Sequence, residues 1–332
     1  MSAWMSLLAP LAVLVLLALF GFAGCAAVLD VQDVSYGPTY VGTIKSENSL
    51  VAHWRLGEPV NTPVPSSGTA IDEKGAHNGN YNKATITADP KRFSPPAPGN
   101  ITLGIKPGLL DLASETGNPC IEVNGGFVEV PFDAVLNPSP FTFEAWVIAE
   151  FGSDPQNRFY CLVESSAPAG GVQKKFGFGL YAGPANPASA QAQPYQWQVW
   201  MGDGQKFTRV AIANDNVNFN QLTYLALTYD PGAAGNNLFL YHYYPDTNQD
   251  CTLASCAPIQ ATVGNFKQNN QVGGGSLLIG MGRNLFPGVQ VDPVPLQPFL
   301  YAFKGKIQEA AVYNAALKLE RVASHMMAGG KI

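Results

Sequence analysis

From Ser49 onward the chain falls into short windows where apolar and polar residues alternate at period two, the mark of strands with one buried face. The first is "SLVAHWRLGE", in which Val51, His53 and Arg55 alternate with Ala52, Trp54 and Leu56. Similar windows follow: "CIEVNGGFVEVP", "FTFEAWVIAE", "RFYCLVES", "FGFGLYAG", "YQWQVWMG", "FTRVAIA", "LTYLALTYD", "NLFLYHYY", "SLLIGMG" and "GKIQEAAVYN". Glycine, asparagine, aspartate and proline gather between them and mark turns. The Pro-rich "DPKRFSPPAPGN" reads as an insertion. Helical periodicity occurs once in this region, in "NAALKLERVASHMMAGG", where Leu317, Val322 and Met326 share a face and Gly329 is a stop signal. This pattern predicts an all-β fold, a two-sheet antiparallel jelly-roll sandwich, with a short C-terminal helix.

The N-terminus follows a different rule. Met1 to Val28 carry no charged side chain, and "LLAPLAVLVLLALFGFAG" is almost wholly apolar. About 20 such residues span a bilayer core, and a buried globular helix of that length normally keeps a polar stripe. "FAGC" resembles a bacterial lipobox, which makes Cys25 a lipidation site. Phe22 stands where that pattern has Leu, Ile or Val, and no Lys or Arg precedes the run. An uncleaved signal anchor and a plain secretory peptide are the other readings. All three export the rest of the chain. The organisation expected is a leader or anchor over residues 1–29, a stalk over 30–46 and one globular domain over 47–332.

Charge is sparse: 24 acidic and 19 basic residues give a net charge of −5. No basic stripe is present, which argues against a nucleic-acid partner. With Cys25 set aside, four of the five cysteines remain, an even number that suits an oxidising compartment. Cys251 and Cys256 are placed to close a small loop; Cys120 and Cys161 lie on apolar runs, to pair or to sit buried. The four histidines are scattered without the spacing of a zinc site.

The order of the windows resembles the concanavalin A-like, laminin-G-like (LamG) jelly roll of bacterial surface proteins. "LVAHWRLGE" is similar to that family's opening strand, "IDEKGAHNGNY" to its Asp-x-x-Gly turn, and "IEVNGGFVEVP" and "FTFEAWV" to its next strands. "LTYLALTYD" and "NLFLYHYY" resemble a later strand pair, and "GKIQEAAVYNAAL" resembles the closing strand. Together these matches run from about Ser49 to Gly329. The resemblance implies a fold; a ligand has to be argued from a site.

The same sandwich carries laminarinase-type glycoside hydrolases, so catalysis is the first chemistry to consider. Their Glu-x-Asp-x-x-Glu strand places two carboxylates about 5 Å apart, and that spacing is absent here. Glu144 is expected to accept hydrogen bonds inside the sandwich. No Gly-x-Ser-x-Gly motif is present either. The chain is therefore read as non-catalytic.

Calcium is the cofactor the resemblance implies, at the sandwich rim. Glu58, Asp72, Asn78 and Glu309 are the candidate oxygen ligands, with Gln308 standing where the family has Asp. The alternative for Asp72 is a turn capped by its own side chain. For sugar binding, "AQPYQWQVW" sets Tyr195 and Trp197 on one strand face and Gln196, Gln198 and Trp200 on the other. His242 and Tyr244 are further candidates. Three long loops, "NPASAQAQP", "DTNQDCTLASC" and "QNNQVGGGS", add polar surface. The expectation is a membrane-tethered extracytoplasmic module that recognises an extracellular glycan or a surface protein. The alternatives are a self-assembling subunit of a surface layer or appendage and, third, a hydrolase with carboxylates from distant strands.

Overall fold

The computed structural model describes residues 40–58, 68–83, 85–86, 97–98, 100–105, 119–150, 159–167, 176–186, 193–214, 216–245, 258–269, 274–283 and 299–329. The leader, Cys25, Cys251 and Cys256 lie outside them, as does most of the three long loops. The described chain begins with helix α1 (Tyr40–Lys45), β1 (Leu50–Trp54), β2 (Thr69–Ala70), β3 (Gly79–Lys83) and β4 (Thr85–Ile86). Next come β5 (Ala97–Pro98), β6 (Asn100–Ile105), β7 (Cys120–Asn124), β8 (Gly126–Val130) and β9 (Phe141–Ala149). The middle holds β10 (Tyr160–Ala167), β11 (Phe176–Pro184), β12 (Tyr195–Gly202), β13 (Phe207–Ile212) and β14 (Leu222–Tyr229). Then follow β15 (Leu238–Tyr243), β16 (Ile259–Ala261), β17 (Leu277–Ile279), β18 (Gly282–Arg283) and β19 (Phe299–Leu300). β20 (Lys304–Tyr313) and helix α2 (Leu319–Gly329) close it.

Two eight-stranded antiparallel sheets form the sandwich. The first runs β16-β15-β14-β9-β20-β7-β6, with β1 also on β20; the second runs β13-β12-β11-β10-β17-β8-β3-β2. The N-terminal half of β20 pairs with β7 and its C-terminal half with β1. The switch falls at a bulge, where Glu309 takes φ 56° and donates its N–H to the Arg55 carbonyl.

The core follows from the alternation. Phe141, Phe143, Ala145 and Val147 of β9 meet Tyr195, Trp197, Val199 and Met201 of β12 in one buried cluster between the sheets. The other face of the first sheet is buried too. There Trp146, Tyr224, Ala226, Tyr241, Tyr243 and Tyr313 pack beneath Tyr40, Val41 and Ile44 of α1 and Val322, Ala323 and Met326 of α2. This second layer explains why β9 and β14 are buried along almost their whole length. Val322 and Met326 are on the apolar helix face that the sequence predicts, and α2 ends at Gly329 where a Cβ would stand 2.5 Å from the Trp146 ring.

Two boundaries differ from the sequence reading. Tyr40 to Lys45, assigned to the stalk, are part of the domain, because Tyr40 and Ile44 are fully buried against the first sheet. β6 is an edge strand on β7 that the sequence reading did not separate from the proline-rich segment before it.

Candidate functional site

The outward face of the second sheet carries a cluster of aromatic, amide and guanidinium side chains. β12 points Tyr195, Trp197 and Val199 into the core, so Gln196, Gln198 and Trp200 face outward. The pairing Trp200↔Gly179 sets that ring beside a strand whose outward positions are mostly glycine. A Cβ at Gly179 would lie 2.5 Å from Tyr181 Cε2, and one at Gly183 would lie 2.4 Å from Phe159 Cδ1. Rings therefore lie across the sheet where other residues would project side chains. Phe159 stands edge-on to Tyr181, Trp200 and Tyr301 at centroid distances of 6.4, 5.7 and 6.1 Å. Trp200 also stacks on Phe207 at 6.5 Å. Phe207 and Tyr181 are buried, whereas Phe159, Trp200 and Tyr301 keep part of their surface in solvent.

Polar groups frame these rings. Gln198 is fully buried and its Nε2 donates to the carbonyls of Gly183 and Pro184, each at 3.0 Å. Across β13, Arg209 sits opposite Trp200, and its Nη1 donates to Ala185 O at 3.0 Å and reaches Gln198 Oε1 at 3.5 Å. Farther along the same face Glu164 is fully buried. It accepts from Ser166 Oγ at 2.6 Å, from the Tyr181 hydroxyl and from Arg283 N at 3.2 Å. Burial, then the neighbouring Cys161 and Glu164, push the Tyr181 hydroxyl well above the usual tyrosine range, so it remains a donor. Arg283 Nη2 donates to Ser276 O and Oγ at 2.6 and 2.8 Å, and Ser276 Oγ donates to Glu129.

The structure does not unite all six sugar-binding candidates. Gln196, Gln198 and Trp200 share the outward face. Tyr195 is a core residue, 3% exposed, tilted against Tyr160 at 5.7 Å. His242 and Tyr244 follow the alternation of Leu238 and Leu240 on the inner side of the first sheet, and the Tyr244 hydroxyl donates to Asn216 O. The sequence reading missed Phe159, Tyr181, Phe207, Arg209 and Tyr301. Alternation gives the face of Tyr181, Phe207 and Arg209 within their strands, but Phe159 and Tyr301 lie outside strands, and only the folded arrangement brings all five together around Trp200.

The four calcium candidates do not fit a cation. Both Asp72 carboxylate oxygens are taken by backbone N–H groups, those of His53 and Lys74 on Oδ1 and those of Ala76 and His77 on Oδ2. Asn78 Oδ1 accepts the Asp72 N–H, and Glu58 accepts from Ile71 N and the Tyr81 hydroxyl. Glu309 is fully buried, 2.6 Å from His53 Nε2 and 3.3 Å from Arg55 Nε. Hydrogens point at the oxygens a metal would need, and Asp72 is the cap of its own turn. Among the described residues no group of three or more His, Cys, Asp or Glu side chains is arranged to hold a metal. Cys120 and Cys161 are both buried thiols with no disulfide between them, so of the two alternatives, pairing or burial, burial holds.

Glu144 accepts hydrogen bonds as expected, but under the helices and not between the sheets. It is fully buried and takes the hydroxyls of Tyr313 at 2.6 Å, Tyr40 at 3.3 Å and Tyr224. His325 Nδ1 lies 3.0 Å from its Oε2, and His325 Nε2 lies 3.0 Å from Glu47 Oε1, which also holds Arg321. Burial alone would push the His325 imidazole down; the Glu144 and Glu47 carboxylates outweigh it and hold it up at about 9. Burial would raise Glu144, but the His325 charge and the donors around it hold its carboxyl below the usual range.

No family model matches the chain, and no curated protein matches it. Similar solved structures include domain 4 of AbnA, a GH43 extracellular arabinanase from Geobacillus stearothermophilus, in complex with arabinotriose. Identity is 14% and the TM-score 0.46, with 83% of this chain and 98% of that one covered. The Trypanosoma rangeli sialidase in complex with the inhibitor DANA matches at 13% identity and TM-score 0.43 over 84% of this chain; the match spans only 33% of the sialidase. The heptameric SAP-like pentraxin from Limulus polyphemus matches at 12% identity and TM-score 0.34, over 59% of this chain and 70% of that one. These are partial likenesses at low identity; the two-sheet sandwich itself rests on the strand pairing of this chain.

Proposed function

We propose that this is a non-catalytic LamG-like recognition module that binds an extracellular glycan or a surface protein through the outward face of the second sheet. The observation that carries the reading is the position of Trp200. It is a partly exposed ring on a sheet face cleared by glycines, flanked by Gln196, Gln198 and Arg209. Partly exposed aromatics beside amides suit a pyranose ring, which offers an apolar face and a rim of hydroxyls. The uncharged N-terminal run supports export and tethering to a membrane. Glycan-array screening of the full chain in detergent tests the glycan reading: binding that Trp200→Ala abolishes supports it, and silence from the folded protein refutes it and leaves a surface protein as the ligand to seek.

One observation favours self-assembly as a second reading. Ile71, Phe132 and Val135 are exposed at 51, 36 and 52%. His77 lies 3.7 Å from Asp133, which ties the two loops that carry them to one rim. Mass by light scattering that grows with concentration, and falls in Val135→Asp, would support that reading.

A further inference from the structure

Beside Trp200 lies a cation whose arrangement specifies more than a sugar ring. Arg209 faces outward directly opposite Trp200 and is exposed. Its guanidinium does not sweep freely. One nitrogen, Nη1, is held by Ala185 O at 3.0 Å and by Gln198 Oε1 at 3.5 Å. Gln198 is itself fixed by two carbonyls, and Ala185 by a backbone bond to Pro194 O at 3.1 Å. Among the described residues no carboxylate pairs with Arg209. The acid of its own hairpin, Asp203, is occupied by the backbone N–H groups of Gln205 and Lys206 at 2.8 Å. The other arginine of this face, Arg283, is buried and lies 3.7 Å from Glu164. One guanidinium is thus enclosed, with Nη2 on Ser276 and Nη1 beside the Glu164 carboxylate, while the other is anchored at one corner and turns its remaining donors to solvent.

Resting on the recognition reading above, we infer that Trp200 and Arg209 form a subsite for a carboxylate-bearing sugar, the ring lying against Trp200 and the carboxylate on the free edge of Arg209. A planar guanidinium with fixed orientation pairs with a carboxylate in two parallel bonds and loses little freedom in doing so. A neutral sugar would leave those donors to water, so discrimination is expected against the uncharged analogue.

The test is calorimetric titration of the full chain in detergent with an oligogalacturonate, a hyaluronan oligosaccharide and the methyl ester of each. The acid should bind about tenfold tighter than its ester, the worth of one charge-assisted contact, and the margin should narrow at high salt. Arg209→Gln should bind acid and ester alike, at the level of the ester, with an unchanged melting temperature. Equal binding of acid and ester by the wild type, still lost in Trp200→Ala, would overturn the acidic subsite and leave sugar recognition standing. No binding to these four ligands together with a silent glycan array would remove both.

Discussion

Raising the pH is the sharpest perturbation of the layer beneath the helices, because one buried group carries most of the effect. His325 sits between Glu144 and Glu47, with Tyr313 against its ring at 5.8 Å. The hydroxyls of Tyr40, Tyr224 and Tyr313 are pushed well above the usual tyrosine range, first by burial and then by Glu144, so they stay neutral. Glu47 is held below the usual carboxylate range: burial would raise it, but His325 and Arg321 prevail. The imidazole is held at about 9 in the fold against an ordinary value of 6.5. That displacement corresponds to roughly 3 kcal/mol of stability. Its sign follows from proton binding. Below about pH 6.5 both folded and unfolded chains are protonated at this site and the contribution is fully present. As pH rises toward 9 the unfolded chain has released its proton and the folded chain has not, so stability falls by about 1.4 kcal/mol per pH unit. Urea unfolding at pH 6.0, 7.5 and 9.5, on the wild type and on His325→Gln, isolates the histidine from groups common to both. The wild type should lose about 3 kcal/mol more than the variant across that range. Parallel pH profiles for the two proteins would refute the argument.

Other perturbations test the remaining layers. Asp72→Ala removes the acceptor of four backbone N–H groups and should cost about 2–4 kcal/mol in urea unfolding. Calcium should leave the wild-type melting temperature unchanged, and a calcium-dependent rise would contradict the turn-cap assignment. The Cys120 thiol is pushed up to about 11, mainly by burial. Peptide mapping after maleimide treatment at pH 8 should find Cys120 and Cys161 unlabelled in the folded protein and labelled in guanidinium. A chain beginning at Lys45 lacks buried Tyr40, Val41 and Ile44. It should be about 3–6 kcal/mol less stable than one beginning at Thr39. Gly329→Ala places a methyl group against Trp146 and should cost about 1–3 kcal/mol.

The two-sheet fold was legible because a half-buried strand writes its two faces into alternate residues. β12 is the clear instance, since alternation by itself separates Tyr195 and Trp197 from Gln196, Gln198 and Trp200. Which face is core could not be read from β12, because both carry large rings; the partners across the sandwich decide it. The second buried layer was hidden for a related reason. Tyr224 and Tyr313 look like ordinary strand aromatics until α1 and α2 cover them, and Tyr40 belongs to a segment too short to show helical periodicity. Asp72 was ambiguous in principle, as a turn cap and a metal ligand use the same oxygens in the same Gly-rich loop. Arg209 gave no local signal, because its value lies in the register that sets it opposite Trp200.

The position of β20 has a consequence for how the molecule is made. It is the last strand among the described residues and yet an interior one, paired with β9 along one edge and with β7 and β1 along the other. The first sheet therefore cannot close until nearly all the described chain has been synthesised. β7 and β9 must wait, unpaired on one side, for a partner that follows every other described strand. The sheet is joined only once β20 has docked between them. A premature stop anywhere before Lys304 would remove the strand that joins the two halves of that sheet, leaving exposed edges prone to aggregation or degradation.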